Sequence, residues 1–508
     1  MMNSKKYKRI NNLIDTVLLV RPSAVGKKEF PFGLLYVGTA LKQKGYKVKI
    51  IDLHDNSQLE DKITDILLNS SNTMLGISAL SPQYHWVKEL TLKIKKILPR
   101  TPIVIGGHIT VMHEMILNKT GVDYVCLGEG EELLPELIGK INKNESVDDV
   151  LGIAYKKGDE IYKTGFRPLI KDFITPDYDL IDVSRYLIHP SKDFFFSRSR
   201  EYGNQAKDSD KLAAVMFSRG CVGGCAFCYR HLPGFRQSSV DWSWNNLMLL
   251  HNKYGVKYFR IDDELFTNDP KWFNDFYKKV VNSKINILFR ISGLRADSVN
   301  DEFLSKLKKM GCIAINYGIE SGSQKILDNM NKRTTVAQNH FAIKKTIDHG
   351  MKVMAYVMFG YEGETRATLR ETLDLLLGTD VGPEEVSAFY TVPLPGSKLY
   401  QDCLKKGLIK DQESFVDGLH DKVANQHSRY LVELGEVSRE ELFGFEKKFY
   451  FLLNLKKIFS VNSLIFKIIY KIVFWIPYES RINNMFVLGQ KILRKVYNYF
   501  YDNEKRKT

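Results

Sequence analysis

The residues of this 508-residue chain best suited to do chemistry are three cysteines in the run Ser-Arg-Gly-Cys221-Val-Gly-Gly-Cys225-Ala-Phe-Cys228. A C-x3-C-x2-C spacing delivers three thiolates from one short loop, enough to hold three corners of a four-iron cubane and leave the fourth iron open to chelate a small molecule. A structural zinc site would need a fourth ligand, and the nearest candidate is His231, three residues beyond Cys228. The remaining cysteines, Cys126, Cys312 and Cys403, are scattered through apolar or helical contexts and suit ordinary buried thiols. Half of the six cysteines sit in one loop, which excludes a disulfide framework and points to a reducing, cytoplasmic and oxygen-poor setting. The basic N-terminus carries only a short apolar run, Val17 to Val20, which is too short for a signal peptide.

At 508 residues, two or three domains must position such a loop. Five short β-branched runs, Val17–Val20, Val48–Ile51, Met74–Ile77, Ile103–Ile105 and Tyr124–Cys126, alternate with helical patterns and predict a doubly wound parallel sheet. Ligands of such sheets lie at the carboxyl ends of the strands. There the chain places Ser78-Ala-Leu80, Gly106-Gly107-His108 and Gly128-Glu129-Gly-Glu131. Glycine pairs let a backbone approach a ligand closely, although each alone also suits an ordinary turn.

A second alternating series follows an irregular polar stretch between Phe166 and Leu212. Strands are expected at Ala213–Phe217, Lys257–Ile261, Ile285–Phe289, Ile313–Tyr317, Val353–Val357 and Val386–Tyr390, giving a partial parallel barrel whose functional groups emerge at the strands' carboxyl ends. The groups there are Asp262-Asp263-Glu264, Gly293-Leu-Arg295-Ala-Asp297, Gly318-Ile-Glu320-Ser321, and Gly360-Tyr-Glu-Gly363-Glu364. Three adjacent carboxylates repel one another unless a cation is near, or else they serve as a capping cluster for the next helix.

The cysteine loop, with aromatic Phe227 before its third cysteine, resembles the signature of the radical SAM superfamily. The first series, with its Ser-x-Leu, Gly-Gly and Gly-Glu-Gly-Glu segments in order, resembles the cobalamin-binding domain found in front of many radical SAM enzymes. The resemblance spans roughly residues 15 to 405. It implies a [4Fe-4S] cluster on Cys221, Cys225 and Cys228, with S-adenosylmethionine (SAM) on the open iron being cleaved to a 5'-deoxyadenosyl radical. It also implies cobalamin contacts from Ser78, Leu80, Gly106, Gly107, Gly128 and Glu129. Contacts to SAM are implied for Asp262, Glu264, Arg295, Glu320, Ser321, Gly360 and Glu364, with Arg295 pairing bidentately with the methionyl carboxylate. Asp-Asp-Glu replaces the family's Gly-Gly-Glu, which leaves open which acid meets SAM. His54 in Asp52-Leu-His54-Asp-Asn-Ser57 looks like a cobalt-ligating motif, yet it follows the second strand instead of the first. A cobalamin with no lower histidine ligand is therefore expected.

The fold class that follows is α/β: a doubly wound Rossmann-like cobalamin-binding domain at 1–140, a linker at 141–212, a partial (β/α)6 TIM-type radical SAM barrel at 213–400, and a mainly helical, basic C-terminal region at 401–508. Methylthiotransferases carry three further cysteines ahead of the barrel, and only Cys126 precedes Cys221. The family resemblance implies methylation of an unactivated carbon or phosphorus centre, with cyclisation or rearrangement without methyl transfer as the alternative. It also implies an external one-electron donor such as flavodoxin or ferredoxin.

A formal charge of +15 raises nucleic acid as a partner, but its distribution argues against one. Residues 447–508 hold thirteen Lys or Arg against three acids, so most of the excess belongs to the tail. Ile458–Ile476 is strongly apolar but interrupted by Lys467 and Lys471, a spacing that puts both on one helical face and disfavours a spanning helix. The pattern suits a helix packed on the barrel with lysines in solvent, or one lying in an anionic membrane surface with Trp475 and Tyr478 at one end. The second would favour a lipid or other hydrophobic substrate.

Overall fold

The computed structural model describes residues 13–22, 29–52, 59–70, 72–193, 207, 209–230, 232–423, 432–477 and 484–493. His54, His231 and Tyr478 lie outside them. The chain forms two compact units, the first comprising residues 1–188, 229–233 and 404–424 and the second the remainder.

In the first unit the β-branched runs become strands β1 (Thr16–Arg21), β2 (Lys47–Asp52), β3 (Thr73–Ser78), β4 (Ile103–Gly106) and β5 (Tyr124–Cys126). They are parallel, in the order β2-β1-β3-β4-β5. The pleat of β1 shows why the sheet is covered on both faces. Val17 and Leu19 pack with Leu34, Leu41, Leu133 and Leu137, whereas Leu18 and Val20 join Val87, Leu90, Ile94 and Ile116. Two further strands, β6 (Ile153–Lys157) and β7 (Glu160–Lys163), add an antiparallel hairpin at the β5 edge, within the stretch read as linker. Its charged residues hide the alternation that reveals the other strands, as suits an edge. The chain also returns to this unit late. Val416, on the helix Gln412–Val423, is buried in its core, and Glu413 accepts bonds from Tyr84 (3.0 Å) and Lys88 (2.7 Å).

The second unit contains six parallel strands in chain order: β8 (Lys211–Val215), β11 (Val256–Ile261), β12 (Leu288–Leu294), β13 (Cys312–Glu320), β14 (Lys352–Phe359) and β15 (Val386–Tyr390). A short antiparallel pair, β9 (Ser218–Gly220) and β10 (Phe235–Gln237), follows β8. The order β15-β14-β13-β12-β11-β8 without closure makes a curled half-barrel, as the spacing of the runs predicts. Alternation along β14 separates its faces: Val353, Ala355, Val357 and Phe359 are buried, and Met354, Tyr356 and Met358 are half-buried on the other side. Two strands run further than expected. The strand read at Ile285–Phe289 starts only at Leu288, because Lys284 ends the preceding helix in a left-handed conformation (φ 55°), and it continues to Leu294. The fourth strand runs through Gly318 to Glu320. The C-terminal helix Arg439–Lys456 closes the β14–β15 side, with Phe445 and Phe449 each 5.2 Å from Phe359 between ring centres.

Candidate cofactor-binding sites

The cysteine loop leaves β9 and is held at both ends by groups other than its thiols. Where it begins, the buried Asp263 accepts the backbone N–H groups of Phe217 (2.8 Å) and Ser218 (3.0 Å) through Oδ1. Burial raises the Asp263 carboxyl well above the usual carboxylate range, against the pull of those bonds. Further along, Ala226 N–H donates to Met330 O (2.8 Å), Leu399 N–H to Ala226 O (2.9 Å), and the Asn331 amide to Gly224 O (2.7 Å). The turn Asn331-Lys332-Arg333 thus lies against the glycines between the first two cysteines. A Cβ on Gly224 would stand 2.8 Å from Asn331 Nδ2, so the close approach requires glycine. A Cβ on Gly223 would meet Cys221 Sγ at 3.3 Å, Arg295 Nη1 at 3.4 Å and Cys225 Sγ at 3.8 Å, so two sulfurs and a guanidinium border one small space. Gly223 N–H donates to Cys221 Sγ (3.3 Å). Burial raises the Cys225 thiol, and the charges of Lys332 and Arg295 oppose that rise.

The three acids after β11 have three different fates. Asp263 faces inward and holds the loop. Asp262 is half-buried, pairs with Arg260 (3.0 Å), and accepts from Ser292 Oγ (3.2 Å). Glu264 is exposed. Asp262 opens a polar wall across the strands: the Asn316 amide donates to Ser292 Oγ (3.2 Å) and to Tyr356 OH (3.1 Å), and Arg290 stands beside Arg260 in the β11–β12 register.

Several expected SAM contacts are already committed to protein partners. Arg295 gives its Nε and Nη2 fork to Asp297 (2.9 and 2.8 Å), and Nη1 remains toward Gly223. Glu320, at φ 60°, pairs with Lys332 at 2.7 Å, both nearly buried. Burial works against the Lys332 ammonium, yet the charges of Glu320 and Cys225 leave it above its ordinary value. Ser321 Oγ accepts from Ser323 N–H (3.0 Å). Gly360 N–H donates to buried Glu364 (2.8 Å), whose carboxyl burial pushes up to about 7. Asp263, Asn331 and Lys332 hold or border the cysteine loop, a role that motif reading does not assign them.

In the first unit the ends of β3, β4 and β5 are neighbours. Gly107 turns at φ 86°, where a Cβ would stand 2.6 Å from Ala79 O, and Gly106 and Gly128 face open space. Leu80 is 45% exposed, leaving an apolar side chain at the rim. Ser78 Oγ lies 4.0 Å from a Cβ built on Gly33, so the first turn of the helix Phe32–Gln43 lies beside it at the topological switch point. Glu129 is buried and accepts Ile170 N–H (2.8 Å), which commits it to the chain's own backbone.

Residues 21–138 match the B12 binding domain family, and residues 215–376 match the radical SAM superfamily. The chain is a B12-dependent radical SAM enzyme. It is 26% identical over 409 residues to an uncharacterized methyltransferase of Pyrococcus horikoshii, covering 77% of this chain and 84% of that one. It is 29% identical over 399 residues to the anaerobic magnesium-protoporphyrin IX monomethyl ester cyclase of Rubrivivax gelatinosus, covering 76% and 68%. The structure of the cobalamin-dependent SAM radical enzyme OxsB with aqua-cobalamin superposes with a TM-score of 0.70 at 16% identity, covering 97% of this chain and 81% of that one. This last likeness speaks for the fold.

The cofactors are cobalamin, a [4Fe-4S] cluster and SAM. The B12-dependent radical SAM fold fits them on its own geometry. Among the described residues no three His, Cys, Asp or Glu side chains converge as a single ion requires. A cubane instead spreads its thiolates, and the loop offers it a backbone N–H on sulfur and the cations Lys332 and Arg295 nearby. Gly106 and Gly128, with nothing within 4 Å of a built Cβ, leave room for a flat corrin edge at the strand ends.

Proposed function

We propose that this enzyme methylates an unactivated carbon or phosphorus centre of a small molecule. The observation that carries this reading is the presence in one chain of a B12-binding sheet and a half-barrel with a three-cysteine loop, since a methyl carrier and a radical generator are the two parts such a reaction needs. Cys221, Cys225 and Cys228 would hold the cluster, and Ser78, Leu80, Gly106, Gly107 and Gly128 would line the cobalamin crevice. Bound there, the cluster would supply the electron that opens SAM, and cobalamin a transferable methyl group.

The protein's own groups do the positioning. Asp263 and Asn331 fix the cysteine loop from two sides, and Lys332 and Arg295 offset its negative charge. Of the three acids, Asp263 is engaged within the fold, so the SAM amino group falls to Asp262 or Glu264. The wall formed by Asp262, Ser292, Asn316 and Tyr356 offers a substrate hydrogen-bonding partners at the strands' inner face. The methyltransferase relative favours methylation, and the cyclase relative sustains ring formation without methyl transfer as the second reading.

The test is to incubate anaerobically reconstituted enzyme with deuteromethyl SAM, a reductant and fractionated cell metabolites. A metabolite that gains the labelled methyl group supports the proposal. Fraction-dependent 5'-deoxyadenosine release with no labelled product would transfer the assignment to cyclisation or rearrangement. The same assay, run with flavodoxin or ferredoxin in place of chemical reductant, tests the proposed electron donor.

A further inference from the structure

The helix Leu464–Trp475 is anchored on one side only. Ser463 caps it, Phe466 and Val473 are buried, Tyr470 OH donates to Asp374 (2.8 Å), and Arg370 lies 4.5 Å over the Phe474 ring. The lysines do lie in solvent, as a barrel-packed helix requires. The outward arc, however, is apolar as well: Leu464 is 72% exposed, Ile465 52%, Ile468 48%, Ile472 54% and Trp475 85%. Positions i, i+1, i+4, i+8 and i+11 fall within one third of the helical circumference, and Lys467 and Lys471 border that arc. The next helical stretch, 484–493, repeats the arrangement: Phe486 packs on Phe451 at 5.0 Å, while Met485, Leu488 and Ile492 are more than half exposed beside Lys491. Neither stretch contains an acid.

Scattered exposed hydrophobes are ordinary, but two consecutive helical stretches with outward apolar arcs need an occupant. We propose that this face docks on an anionic lipid surface. A second copy of the chain would bring lysines against lysines across a two-fold interface, with no acids to pair them, which disfavours self-association. Anionic headgroups complement the flanking lysines, and an exposed Trp at a helix end suits the headgroup boundary. Twelve residues rise only about 18 Å, so the helix lies in the surface instead of crossing it. Among the described residues no helix is long and apolar enough to span a membrane.

The test uses the full-length reconstituted enzyme, because the helix Arg439–Lys456 belongs to the core of the second unit and truncation there would unfold it. Co-sedimentation is measured with vesicles of phosphatidylcholine alone and of equal parts phosphatidylcholine and phosphatidylglycerol. Wild-type protein should bind the anionic vesicles. A variant carrying Ile468→Ser, Ile472→Ser and Trp475→Ser should bind at least about tenfold more weakly. Lys467→Gln with Lys471→Gln should cost roughly thirtyfold on anionic vesicles only. Unchanged melting and iron-sulfur absorbance would establish that both variants are folded. Equal binding by wild type and the serine variant, or no wild-type binding at low salt, would overturn the proposal. A wild-type dimer in sedimentation velocity that the serine variant abolishes would also overturn it, assigning the face to a second copy.

Discussion

Replacing Asp263 separates a carboxyl that holds the cysteine loop from one that meets SAM. In the native fold Oδ1 accepts two buried backbone N–H groups at 2.8 and 3.0 Å. Asp263→Ala leaves both donors unsatisfied, at a cost of about 1–3 kcal/mol each and roughly 2–6 kcal/mol together. Asp263→Asn is a different perturbation. Burial disfavours the charged form of this carboxyl, and the amide reproduces its shape and its accepting oxygen. The cost of the amide is on the order of 1 kcal/mol. Urea unfolding of the apoprotein reads the stability difference, iron-sulfur absorbance after anaerobic reconstitution reads the loop, and equilibrium dialysis with labelled SAM reads the ligand. The alanine variant should lose most of its cluster and several kcal/mol, and the asparagine variant should retain the fold, cluster and SAM binding. A folded, cluster-loaded asparagine variant whose SAM affinity has collapsed would refute the reasoning, because it would make Asp263 an ionised ligand-binding acid.

Changing Cys221, Cys225 and Cys228 together to Ala should abolish cluster absorbance and leave the melting profile of the apoprotein intact, since the loop is fastened by Asp263, Asn331 and backbone bonds; a full cluster in the triple variant contradicts the assignment. Glu364, raised from 4.5 to about 7, binds its proton more tightly in the folded state. Its stabilising effect is therefore present below pH 4.5 and lost as pH rises to about 7, a change of about 3 kcal/mol that Glu364→Gln should remove from the pH profile of unfolding. Lys332→Met leaves Glu320 without its buried partner and should destabilise the fold by about 3–5 kcal/mol. Adding Glu320→Gln should recover most of that loss in the same unfolding assay, and a purely additive result would argue against the pair. Electron paramagnetic resonance of the cob(II)alamin form should show no nitrogen superhyperfine splitting, and splitting that vanishes in His54→Ala would assign a lower histidine ligand.

What the sequence made legible follows from where the signal is local. Buried parallel strands read as β-branched runs, so β1 to β5 and five of the six half-barrel strands were found close to their true positions, and the cysteine loop was found by spacing alone. The third half-barrel strand was misplaced because Ile285-Asn-Ile-Leu looks periodic. Whether those residues are strand depends on the left-handed end at Lys284, which no pattern in the side chains announces. The β6–β7 hairpin was missed because an exposed edge carries Lys156, Lys157, Asp159 and Glu160 where alternation should show. The sequence places residues 401–508 in one helical C-terminal region, because amphipathicity shows that a helix has a core-facing stripe and leaves the identity of the core open; Val416 on the helix Gln412–Val423 belongs to the first unit.

The site shows the same division more sharply. A motif names Asp262-Asp263-Glu264 as one group, but the end of a strand divides it by direction, with one acid turned inward onto the loop, one onto the polar wall and one left exposed. Lys332 lies more than a hundred residues after Cys225, so no local spacing could have linked the two. Only the turn after the helix Gln324–Asn329, with Asn331 and Arg333 both at positive φ, brings the ammonium to the cysteine loop. Conversely, the motif residues Glu320, Ser321 and Glu364 already hold a lysine, a backbone N–H of the following turn, and Gly360. These bonds give Ser321 and Glu364 a role in fixing backbone turns, and Glu320 a role in holding Lys332, that needs no contact with a ligand. That reading gives each a test that activity alone cannot supply: the amide variant of Glu364 should preserve SAM affinity while changing the pH dependence of stability, whereas a direct ligand contact would change affinity first.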